Sequence, residues 1–131
     1  MKSRHELREA IFRILFQLEN TQLEVSELLE LEDAEVAENS YVLDTLNGIL
    51  AKKDEIDASI ENNLKDWKLE RLSKMDRQIL RIATYEILFS DIPYKVSINE
   101  AVELSKIYSE KDESYKFING VLKGIVDSAA K

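Results

Sequence analysis

The chain has 131 residues, 44% of them apolar and 34% charged, the profile of a soluble globular protein of single-domain size and not of a disordered tail. It contains no cysteine, which excludes disulfides, thiolate metal sites and a cysteine nucleophile. No apolar run approaches the ~18 residues that span a bilayer and the N-terminus carries no signal-peptide pattern, so a cytoplasmic protein with no membrane partner is expected.

The formal net charge of -8 argues at face value against a polyanionic partner, because phosphate contacts come from Lys and Arg. The charge is concentrated, however. Three basic and thirteen acidic side chains lie in residues 22–66 (-10), against four and three in 1–21 and eleven and ten in 67–131 (+1 each). A basic face drawn from the two balanced flanks stays open.

Three glycines and one proline favour long helices over many short strands. Leu7, Ala10, Ile11, Ile14, Leu15 and Leu18 recur at helical spacing and predict an amphipathic first helix. Residues 25–31 read as a short second helix. Asp33 is placed to cap a third, which carries Val36, Leu43, Leu46 and Leu50 inward and ends near Lys52 and Lys53, where cations meet the negative dipole end. Ile56, Ile60 and Leu64 mark a shorter piece over 54–65. Ser73 fits the cap of the strongest helix, with Ile79, Leu80, Ala83, Ile87 and Leu88 on one broad face, and Pro93 closes it. Residues 97–100 (SINE) form a capping-box pattern that predicts a helix from there to about Tyr108. Ser114 opens a last helix with Phe117, Ile118, Val121, Leu122, Ile125 and Val126 inward. The sum is an all-α chain of six or seven helices.

Catalysis has little support. His5, the one histidine, stands in a charged stretch without a Ser or Asp partner at helical spacing and reads as a surface residue. Carboxylates such as Glu100 and Glu103 read as solvated faces, and no Glu-x-x-His arrangement offers a di-iron site. The glycines make neither a P-loop nor a dinucleotide fingerprint. No enzyme is expected, and no metal or cofactor. The first helix is more informative: Arg4, Arg8, Phe12 and Phe16 follow one another at i+4 steps. Cations followed by rings on one exposed ridge suit single-stranded RNA, the guanidinium groups holding phosphates and the rings stacking bases. The competing reading is that Phe12 or Phe16 simply widens the core stripe, Phe12 the more so. Tyr108, Tyr115, Lys116 and Phe117 form a second candidate patch.

Several stretches together resemble the NusB family. Residues 80–86 (LRIATYE) match its LRIA-x-YE core helix, and Asp91, Ile92, Pro93, Val96 and residues 98–104 (INEAVEL) match its DIP…V-x-INEAVEL segment. Ser114, Lys116 and residues 117–122 (FINGVL) match S-x-KFVNGVL with Ile118 for the usual valine. Residues 67–72, beginning at Trp67, and an N-terminal pattern of Arg4, Arg8, Leu15, Phe16, Gln17 and Glu19 extend the likeness over nearly the whole chain. The resemblance implies a single domain of about seven helices in two packed sub-bundles, about 1–66 and about 67–131. It implies a transcription antitermination factor that pairs with the ribosomal protein NusE, holds the boxA element of nascent ribosomal RNA and joins an antitermination complex on RNA polymerase.

By the same resemblance, Arg4 and Arg8 stand at phosphate-contacting positions, Phe16 at an aromatic position near RNA, and Tyr108, Lys116 and Phe117 in a second RNA-facing region. Asp76 matches an acidic position on the NusE-facing side. Family members often carry a denser N-terminal arginine cluster, which His5 and Glu6 interrupt here, so RNA affinity without NusE is expected to be weak. The alternative is a protein-only adaptor that binds NusE with little RNA affinity of its own. A homodimer is left open.

Overall fold

Eight α-helices and one 3-10 turn make up the regular structure of the described residues, 1–65 and 68–129, of the computed structural model. Trp67, at the head of the 67–72 family stretch, lies outside them. Contacts divide the chain into two compact units, Met1–Ala51 and Lys52–Lys131.

In the first unit, α1 (Arg4–Asn20) opens on a capping box: Ser3 Oγ accepts from the Glu6 amide at 3.1 Å while Glu6 Oε1 accepts from the Ser3 amide at 3.0 Å. Two amide donors at the helix start are thereby satisfied. Leu7, Ala10, Ile11, Ile14 and Leu15 are buried as the spacing requires, whereas Leu18 is half-buried. Helix α1 packs on α2 (Val25–Glu30) and α4 (Ser40–Ala51). The Arg13 guanidinium grips the Glu32 carboxylate with both prongs, at 2.7 and 3.2 Å.

The single third helix expected after Asp33 is two. Asp33 does cap, accepting from the Val36 amide, but α3 is one turn (Ala34–Ala37) and Asn39 Oδ1 then accepts from the Val42 amide to start α4. An asparagine side chain that bonds its own backbone two or three residues on competes with helix continuation. In α4 Val42, Thr45, Leu46 and Ile49 are buried, whereas Leu43 is half-buried and Leu50, expected inward, is exposed.

The second unit begins with α5 (Lys53–Glu61), which packs on α6 (Lys74–Phe89) and α8 (Ser114–Ala129). The sequence grouped this stretch with the N-terminal sub-bundle. Asp57 of α5 binds the Arg81 guanidinium in a fork, at 2.9 and 3.1 Å, and Arg81 is buried. The arginine of the LRIA motif is thus a clamp between helices. Ser73 Oγ caps α6 by accepting from the Asp76 amide at 3.1 Å, as its position predicts. Ile79, Leu80 and Ala83 are buried, and Ile118, Val121, Leu122 and Ile125 of α8 likewise. Each fully buried aliphatic side chain stabilises the fold by ~1.5–3 kcal/mol.

Helix α7 (Tyr94–Tyr108) corrects two expectations. Pro93 does not close α6, which ends at Phe89; it opens α7, its fixed φ of -56° being suited to a helix start. Ser97 is not a cap. It lies one turn inside α7, buried, and its hydroxyl donates to Glu86 Oε1 of α6 at 2.8 Å.

Candidate nucleic-acid interface

The N-terminal candidates belong to the first unit. Arg4 is exposed, and its guanidinium carbon stands 3.8 Å from the centre of the Tyr41 ring in α4. Arg8 leans toward the same ring at 5.8 Å. Arg8 is, however, only 2% exposed, against the expected solvent ridge. The reason is geometric. Successive i+4 positions drift by ~40° around a helix, so a line that starts at exposed Arg4 runs into the buried stripe at Arg8 and Phe12 before it emerges at half-buried Phe16. Phe12 is a core residue at 4% exposure. Its ring lies 6.4 Å from that of Phe16, tilted by 31°, so the core ring props the outer one.

The C-terminal candidates belong to the second unit. Phe117 is exposed at 37% although its position in the apolar pattern predicted an inward side chain. It lines a hollow of about 320 Å³ together with Asp76, Arg71, Ser73, Lys111 and Ser114. The structure therefore brings Phe117 and Asp76, drawn from α8 and α6, to one depression. Asp76 is buried at 8% and accepts from the Ser109 hydroxyl, which in turn meets Ser105 Oγ at 2.9 Å. Lys116 is exposed and pairs with Glu113 at 3.2 Å, while Tyr108 is half-buried. Lys106 sits 5.2 Å from the Tyr115 ring centre.

Sequence reasoning missed Tyr41, the ring on which Arg4 rests. Its residue type was visible, but only the packing of α4 on α1 pairs it with arginine. The Ser3–Glu6 box fits the S-x-x-E pattern in the sequence, where Glu6 reads instead as an interruption of the basic cluster. Among the described residues no group of His, Asp and Glu side chains is placed to hold a metal, and no helix is long and apolar enough to cross a membrane.

The NusB family profile matches residues 5–127. The chain belongs to the NusB family. Transcription antitermination protein NusB of Macrococcus caseolyticus is 47% identical over 134 residues, which cover 98% of this chain and 99% of the relative. Among solved structures, T. maritima NusB superposes with a TM-score of 0.85 at 37% identity, covering 99% of this chain and 94% of that one. A chain from a crystal structure of antitermination factors NusB and NusE in complex with dsRNA matches with a TM-score of 0.79 at 27% identity, covering 95% of this chain and 96% of that one. The NusB-family fold is all-α here as there, and the helix count among the described residues, eight, is close to the seven expected.

Proposed function

We propose that this NusB-family protein is a transcription antitermination factor that pairs with ribosomal protein NusE and, as a non-enzymatic cytoplasmic binding protein, holds boxA RNA of nascent ribosomal RNA transcripts within the antitermination complex on RNA polymerase. The observation that carries this reading is the near full-length likeness to NusB proteins, one of them solved with NusE and dsRNA. Each unit supplies its own patch. On the first, Arg4 holds phosphate, Phe16 accepts a base, and Arg8 acts from below through the Tyr41 ring it shares with Arg4. On the second, Tyr108, Lys116 and Phe117 meet RNA, and Asp76 marks the NusE side of the hollow it shares with Phe117.

Burial of Arg8 removes one cation from direct phosphate contact, which favours weak RNA binding by the protein alone and keeps the NusE-only adaptor as a second reading. Titration of labelled boxA RNA into the protein with and without NusE separates the two. The RNA-binding reading expects a ternary complex whose affinity exceeds that of either protein alone. A protein–NusE complex that never takes up RNA supports the adaptor instead.

A further inference from the structure

Helices α7 and α8 border an open groove of about 680 Å³ on the second unit. Its walls carry Lys95 from α7 and Lys116 and Lys123 from α8, against a single carboxylate, Asp127. All three lysines are exposed, so this groove concentrates positive charge on a chain whose net charge is -8. Glu113 draws Lys116 toward one side, but Lys95 and Lys123 lie on separate helices and face the groove from both walls. Tyr94 and Tyr115 line the same groove, with Ile98 and Val102 as apolar lining. Asn99 and Asn119 add amides able to meet base edges.

Distributed cations along an open groove, interleaved with rings, suit a strand rather than a single phosphate. Lysines neutralise successive phosphates while tyrosines stack unpaired bases, and the asparagines bond whatever edge is presented. Lys116 also belongs to the boxA patch proposed above, so the patch and the groove share that residue. We propose that the α7–α8 groove binds the single-stranded RNA flanking boxA, with Lys95 and Lys123 as phosphate contacts and Tyr94 and Tyr115 as stacking platforms. This rests on the RNA-binding reading and adds to it a second tract and its residues.

The test measures affinity of the protein–NusE complex for two RNAs, boxA alone and boxA extended by several flanking nucleotides on either side, across salt concentrations. The variant is Lys95→Glu with Lys123→Glu, and the milder Lys95→Gln with Lys123→Gln guards against misfolding, which the melting temperature monitors. Extension is expected to tighten binding to the unaltered protein, and the Glu variant to lose that gain while binding boxA alone as before. Two phosphate contacts on a single strand correspond to about a sevenfold greater loss of affinity between 50 and 200 mM salt for the unaltered protein than for the variant. Ultraviolet crosslinks from flanking uridines are expected at Tyr94 or Tyr115. If boxA alone binds but extension changes neither affinity nor salt slope, the groove proposal falls and the boxA reading stands. If neither RNA binds the unaltered complex, both fall together.

Discussion

Arg8 shows how one side chain can change its role once its surroundings are known. Its side chain is buried in the first unit and shares the Tyr41 ring with Arg4. From the sequence, Arg8→Glu is expected to weaken RNA binding and spare stability; burial reverses the second half. A carboxylate placed there is an uncompensated buried charge, and unfolding by urea is expected to show a loss of about 3–5 kcal/mol. Arg4→Ala is the cleaner probe. Its cation–π contact is worth ~0.5–1 kcal/mol at an exposed site, so a small shift in melting temperature should accompany a clear fall in RNA affinity of the NusE complex. Unchanged affinity would remove Arg4 from the RNA site. Ser97→Ala tests the buried bond to Glu86, whose carboxylate would lose a donor at 1% exposure. A loss of about 1–3 kcal/mol is expected, with RNA binding intact at low temperature.

Two helix starts carry a pH dependence. The Ser3 amide and hydroxyl hold the Glu6 carboxyl below its ordinary range, and the Lys2 ammonium, then the Val36 amide, do so for Asp33. Asp33 raises Lys2 in return. A carboxylate depressed on folding adds stability above its unfolded pKa and loses it as pH falls through the folded value. The starts of α1 and α3 should therefore fray as pH drops below about 4. Amide hydrogen exchange checks this: protection at the N-terminal turn of α1 is expected to fall before that of its middle. A uniform loss would place the acid-sensitive groups elsewhere. Gly124 of α8 faces Asn63, just past the end of α5, and a Cβ there would overlap Asn63 Oδ1. Asn63 is held by its bond to the Ser59 carbonyl at 2.9 Å, so it yields only by giving that bond up. Gly124→Val is expected to cost about 1–3 kcal/mol in urea unfolding.

The charge of the entire chain acts at long range. The thirteen carboxylates in residues 22–66 repel phosphate of any sequence and so lower affinity for every RNA alike. Preference for boxA over a random RNA of equal length therefore has to come from contacts to bases, and replacing Phe16 or Phe117 by Ala is expected to narrow that preference in competition binding by the NusE complex. An unchanged preference would remove these rings from base recognition.

Periodicity alone determined most of the architecture. The apolar positions of α1, α6 and α8 are spaced so that only a helix gathers them on one face, and Ser73 and Asp33 cap helices because short polar side chains reach their own backbone without help from the fold. The family likeness, carried by LRIATYE, INEAVEL and FINGVL, was equally legible because it resides in residue order. Tertiary packing decided the rest: which side of α1 Arg8 faces, that Phe117 stays at the surface, that Arg81 clamps Asp57, and that Ser97 bonds Glu86 instead of capping. Those are contacts between segments distant in the chain. A one-dimensional pattern reports how residues repeat along a helix, and only the placement of a neighbouring helix fixes which of them meet water.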